Sequence, residues 1–151
     1  MDFKIANFPV LSKLGPDDLM FFYYSVAYYS ELGNLPQIAD KDLIKVANDV
    51  GIKLTPLLQQ TFISKKYNPG KNEIIFTYAK KMNSNIQILK YQDALLKHLR
   101  NSFAHYRISY TNGHELLIME DSVSKGYTMR GLVELVKLKD LISQINECVE
   151  K

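Results

Sequence analysis

The segment 83–105 constrains the fold most, because its apolar residues recur at helical spacing. On a helical wheel one side holds Leu95, Leu96, Leu99 and Phe103. A stripe of this kind is typical of a helix that buries one face against a core. The sequence therefore predicts a long helix from about 83 to 105, the longest in the chain.

Four further segments before it favour helices. A proline and two aspartates after Gly15 open a helix that runs to Gly33, and Asp40 is expected to cap a second helix over 41–50. The segment 55–67 resumes the helical pattern. The run EIIFTYAKKM (73–82) is interpreted as a short helix, although its first six residues are also compatible with a strand.

After residue 105 the pattern changes from helical spacing to alternation. The segment 106–120 alternates around Asn112-Gly113, a strong signal for a β-hairpin, and 128–136 is a candidate third strand. A last helix is expected at about 139–149. The prediction is one domain over 1–151 that is mainly α: a helical bundle with a small antiparallel hairpin or three-stranded sheet before the C-terminal helix.

Cysteine usage and hydropathy bear on the compartment. The 151 residues include one cysteine, Cys148, so no internal disulfide can form. The N-terminus lacks the basic start and continuous apolar run of a secretory signal, and charges interrupt every apolar segment before it reaches the length of a membrane span. The expectation is a soluble cytoplasmic protein without a membrane partner.

Positive charge is concentrated in the middle of the chain. Residues 65–107 contain nine lysines and arginines against two acidic residues, although the net charge of the whole chain is only +3. Such a basic segment attracts polyanions, and a solvated lysine face explains it equally well.

A second seam on the long helix carries polar side chains. Its members are spaced three or four residues apart and comprise Tyr91, Ala94, His98, Asn101 and His105. This spacing suits a solvated face, and it equally suits a contact with a second copy across a twofold axis. The second alternative predicts a homodimer interface in which the two His105 side chains converge.

The end of this helix holds the residue types that RNA cleavage requires. His105 can exchange a proton near neutral pH, Arg100 offers a planar cation to phosphate oxygens, and Asn101 can orient either group. Together they suit a reaction in which the RNA 2′-hydroxyl attacks its own phosphate. The sequence shows no spacing typical of a metal site, so neither a metal nor another cofactor is expected.

These residues, RNSFAH (100–105), resemble the R-x4-6-H motif of HEPN domains, the higher-eukaryote and prokaryote nucleotide-binding superfamily. The Arg-Asn start is similar to that of its ribonuclease branch. The resemblance implies an all-α bundle that dimerises into one composite cleft, and a metal-independent endoribonuclease that leaves 2′,3′-cyclic phosphate ends. It also implies catalytic roles for Arg100 and His105, a supporting role for Asn101, and a toxin or phage-defence function with a possible antitoxin partner.

The residues flanking the motif are candidates for holding RNA. Lys97 and Arg107 can contact its backbone or form plain surface charge, and Tyr106, which replaces the glycine common in small relatives, can stack on a base or pack against the core. The alternative functions are a catalytically inactive HEPN module that binds nucleotides or a partner protein, and a regulatory subunit whose basic face docks an acidic antitoxin.

Overall fold

A computed structural model describes residues 38–58, 69–82, 85–104, 108–110, 116–123 and 126–150. The described helices are α1 (Asp40–Asp49), α2 (Tyr91–Ala104) and α3 (Leu135–Glu150). The described strands are β1 (Lys53–Leu57), β2 (Glu73–Thr77), β3 (Ala79–Met82), β4 (Asn85–Ile88), β5 (Ile108–Tyr110), β6 (Leu117–Val123) and β7 (Gly126–Val133).

Five of these strands form one mixed sheet in the order β1-β2-β7-β6-β5, and β3 and β4 pair separately. Strands β1 and β2 are parallel, whereas the other neighbours in the large sheet are antiparallel. The prediction of a mainly α bundle is therefore wrong: the chain has an α/β fold. The reason is that segments whose apolar runs fit a helix pair as strands in the sheet instead.

Strand β2 shows why the helical interpretation failed. Ile74, Ile75 and Phe76 are fully buried, and consecutive strand residues point to opposite faces, so both faces of this strand are covered. A short continuous apolar run has the same appearance in a buried strand and in a buried helix. The predicted helix over 73–82 is wrong, and the strand alternative for its first residues is confirmed.

The long helix is shorter than predicted at its start. Residues Asn85–Ile88 pair with β3 as a hairpin, and helix α2 begins only at Tyr91. The predicted helix over 83–105 includes Ile86 and Ile88, but both side chains are exposed, at 69% and 65%, so neither packs in the core. Their β-branched side chains favour an extended backbone, and their spacing of two residues is that of one face of a strand.

Asp40 caps a different helix from the one predicted. The N-cap of α1 is Ala39, which makes no side-chain capping bond, and Asp40 is the first residue of the helix. Its Oδ1 instead accepts the backbone N–H of Tyr91 at 3.0 Å, the first N–H of α2. That N–H has no partner within its own helix, so the carboxylate supplies one and also favours the positive end of the helix dipole.

The predictions for the C-terminal third agree better with the structure. Strands β5 and β6 pair antiparallel from Ile108 to Tyr110, as expected of a hairpin, and β7 and α3 confirm the third strand and the last helix. The predicted helix over 15–33, and residues 59–67 of the predicted helical segment 55–67, lie outside the described residues. Residues 55–57 of that segment belong to strand β1, so the helical prediction is wrong there.

A single apolar cluster joins the three helices to the sheet. On β6 the inward residues Leu117 and Met119 are fully buried, and they alternate with half-buried ones. The same cluster includes Leu95 and Leu99 of α2, which confirms that this side of the helix is its core stripe. None of the described helices combines the length and apolar character that a membrane span requires.

Candidate functional site

The site begins with a carboxylate at a position where an apolar residue is expected. Because side chains alternate along a strand, Asp121 faces the same way as Leu117 and Met119, toward the core. It is only 7% exposed. Burial of a charge is costly unless the charge is paired and hydrogen-bonded, so the surroundings of Asp121 must supply partners.

His98 on helix α2 is the main partner of this carboxylate. Its Nδ1 lies 2.7 Å from Oδ2 of Asp121, and its Nε2 lies 2.9 Å from the backbone carbonyl oxygen of Thr77. Both nitrogens thus face oxygen atoms, and Nε2 also lies 3.3 Å from the hydroxyl oxygen of Thr77. The ring is 7% exposed and joins α2 to strands β2 and β6 at once.

The carboxylate also reaches toward the predicted catalytic residues. Asn101 Nδ2 donates to Asp121 Oδ2 at 3.2 Å, and Arg100 Nη1 donates to Asn101 Oδ1 at 3.4 Å. Both Asn101 and Arg100 are half-buried. A continuous series of hydrogen bonds therefore runs from the interior of the sheet to a guanidinium; we call it the polar cluster, formed by Thr77, His98, Asp121, Asn101 and Arg100.

Electrostatics within the polar cluster favour the ionised carboxylate. Burial by itself raises the pKa of Asp121, but the hydrogen bond and charge of His98 oppose it, as do the Asn101 amide and the Ser122 N–H. The net result is a pKa of Asp121 below the usual value of an aspartate. The contact with His98 is thus a buried hydrogen bond to a carboxylate that favours its ionised form.

This lowered pKa predicts a loss of stability in acid. A carboxyl group with a lower pKa in the folded state than in the unfolded chain contributes its stability above its usual pKa, and loses it as the pH falls through the folded value. We expect the free energy of unfolding, measured in urea from about pH 6 to pH 3, to fall less steeply in Asp121→Asn than in the native protein. Glu73 and Glu134 also have lowered pKa values but remain in both proteins. Identical slopes would contradict the prediction.

The seam predicted to face a second copy is occupied inside one chain. The Tyr91 ring lies 6.1 Å from that of Phe76 and 5.0 Å from that of Tyr78, and Ala94 is fully buried in the core cluster. His98 and Asn101 contact Asp121. The sheet of the same chain thus supplies the surface that the dimer prediction assigns to a second copy. As an intersubunit contact, the assignment of Ala94 and His98 is wrong.

The remaining predicted site residues are placed in part. Lys97 is half-buried on α2, one turn before Arg100 and Asn101. His105, Tyr106 and Arg107 lie outside the described residues, so their roles stay predictions. Among the residues that the structure describes, no three His, Cys, Asp or Glu side chains are grouped as a metal site.

Sequence reasoning missed Asp121 and Thr77. A signal for Asp121 was present: the predicted hairpin segment ends at residue 120, but one further step of the alternation of Leu117 and Met119 places this acid on the apolar face. Such a residue requires a buried partner, and a histidine is a suitable one. Thr77 contributes a backbone carbonyl, which no side-chain pattern identifies.

Comparisons with protein-family models, with curated proteins and with solved structures find no match to this chain.

Proposed function

We propose that the protein is a metal-independent endoribonuclease that acts through Arg100 and His105. One observation supports the proposal above all: Asn101 and Arg100, four and five residues before His105 in the chain, are held from within by the polar cluster. Buried support of this kind restricts side-chain motion, and catalysis requires groups that are already in place before the substrate binds.

Each residue has a role that its chemistry supports. The Arg100 guanidinium donates to the non-bridging oxygens of the scissile phosphate and stabilises charge that develops in the transition state. His105 removes the proton of the 2′-hydroxyl or protonates the leaving 5′-oxygen. Asn101 keeps the guanidinium oriented through its Oδ1. Lys97, Tyr106 and Arg107 are proposed to hold the RNA strand nearby.

The proposed activity is the chemistry that the RNSFAH motif implies; the helical bundle that the motif also implies is not part of it. The structural support for this activity comes from α2 and from the strands that contact this helix. A second copy of the chain and an antitoxin remain predicted partners, and a role as a toxin or in phage defence in the cytoplasm remains a prediction. If a dimer forms, it does so through surfaces other than the buried Ala94 and His98.

The proposal is tested by incubating the purified protein with RNA in EDTA. We expect fragments with 2′,3′-cyclic phosphate ends, because the internal 2′-hydroxyl is the nucleophile. An oligonucleotide with a single 2′-deoxy residue at the cleaved position should stay intact, and Arg100→Ala should lower the cleavage rate about 10²–10³-fold, as loss of an oxyanion donor does. Cleavage of the deoxy substrate would refute the mechanism.

A non-catalytic module that binds RNA or nucleotides is the second candidate. The α/β fold favours it, because the resemblance on which catalysis was predicted implies a different architecture. This module would bind RNA with an affinity that falls as the salt concentration rises, and would leave the RNA intact. Binding without cleavage in the EDTA experiment would select this function over the nuclease.

A further inference from the structure

The amide of Asn101 is held in one orientation by its two neighbours. Asp121 carries a carboxylate that can only accept hydrogen bonds, so the Asn101 NH₂ group must face it. The Asn101 carbonyl oxygen then points the other way, toward the Arg100 guanidinium, which can only donate. A reversed amide would lose both bonds.

Asp121 is in turn fixed by hydrogen bonds to both of its carboxylate oxygens. One oxygen accepts from His98, and the other accepts the Ser122 backbone N–H at 3.0 Å. The carboxylate also lies at a register shift between β6 and β7, immediately after its own pairing with Met129. Bulged positions of this kind redirect side chains and are often found beside functional sites. A rigid, buried acceptor therefore stands behind the amide.

From this arrangement we infer that Asp121 is a positioning residue for the Arg100–Asn101 pair. The inference rests on the proposed function, since it concerns the same site. Asp121 does not contact the RNA; it orients the Asn101 amide, and this amide orients the guanidinium. His98 holds the carboxylate in place, so a histidine that was predicted to lie at a dimer contact instead supports the site from within.

The test compares two neutral substitutions on the same strand. Asp121→Asn offers Asn101 an amide instead of an obligate acceptor, so the Asn101 side chain is no longer held in one orientation. We expect kcat for RNA to fall about 10²-fold, the effect of a small misplacement of a reacting group, with a smaller change in KM. Glu120→Gln is the matched control, because its side chain pairs with Arg130 on the opposite face of β6. It should leave both constants unchanged.

A second substitution separates positioning from folding. Asn101→Leu breaks the connection to Arg100 and leaves the His98–Asp121 contact intact, so it should lower kcat as much as Asp121→Asn does. Adding Asp121→Asn to Asn101→Leu should then have no further effect on kcat. If the two effects multiply instead, Asp121 acts by another route and the inference is refuted. If Asp121→Asn fails to fold, an unchanged kcat in Asn101→Leu would refute it equally.

A readout without RNA distinguishes failure of this inference from failure of the proposed function. In ¹⁵N-labelled full-length protein, we expect the side-chain NH₂ of Asn101 to exchange slowly with solvent, and to exchange faster in Asp121→Asn but not in Glu120→Gln. The wild-type result would hold even if the protein cleaves no RNA. Equal exchange in all three proteins would overturn the positioning role itself.

Discussion

Replacing His105 by alanine is expected to lower the rate of RNA cleavage by about 10²–10⁴-fold, the usual contribution of a general acid or base. The imidazole is the one group of the motif that can exchange a proton near neutral pH, so its loss removes the proton transfer and leaves the phosphate contact of Arg100 in place. The affinity for RNA should change little. The measurements are single-turnover cleavage and binding of a 2′-deoxy-blocked oligonucleotide.

His114→Ala is the matched control for this prediction. It also removes an imidazole side chain, but at a position in the predicted hairpin turn to which no role is assigned. Its cleavage rate should equal that of the native protein. Full activity of His105→Ala would remove the assignment of His105, and equal losses in both variants would show that the effect does not arise at the motif.

Replacing His98 by alanine should cost about 3–5 kcal/mol of the free energy of unfolding, the effect of leaving a buried carboxylate without its partner. The loss is this large because Asp121 would remain in the interior without its main hydrogen-bond partner, and because the backbone carbonyl of Thr77 would lose its contact with the ring as well. Urea denaturation at neutral pH measures the change. A native domain is stable by only about 5–15 kcal/mol, so the variant should be close to unfolding at physiological temperature.

Glu120, on the same strand as Asp121, forms a pair with Arg130 that provides the comparison. These side chains are 3.1 Å apart and more exposed than His98 and Asp121, so Glu120→Ala should cost less than about 1 kcal/mol. The double variant His98→Leu/Asp121→Leu should recover much of the stability that His98→Ala loses, since apolar residues can replace a buried ion pair. A loss in His98→Ala no larger than that in Glu120→Ala would contradict the buried pairing.

How much of the fold could be predicted depended on the kind of pattern in each segment. The hairpin β5–β6 and helix α3 were predictable because turn residues and periodicity agreed there. The segment that became β2 was not, because a short apolar run satisfies a helix and a strand equally well until its neighbours in the sheet are known. The cap formed by Asp40 was assigned to the wrong helix because the N–H that donates to its carboxylate belongs to Tyr91, far away in the sequence.

The candidate site shows the same division. Arg100, Asn101 and His105 could be proposed from the sequence, since their spacing and chemistry are local. The polar cluster could not, because four of its hydrogen bonds join residues more than 19 positions apart. A seam at helical contact spacing indicates only that something packs against it. Whether that is a second copy or a sheet of the same chain depends on long-range pairing.

The sequence alone thus determined that the segment from Tyr91 onward is helical, which of its sides is apolar, and which residues near its end are predicted to act on a phosphate. Only the tertiary structure decided that α2 packs on a sheet and that His98 and Asp121 form a buried hydrogen-bonded pair. The physical reason is that helical periodicity and side-chain chemistry are properties of neighbouring residues, whereas sheet pairing and burial depend on segments that meet only after folding.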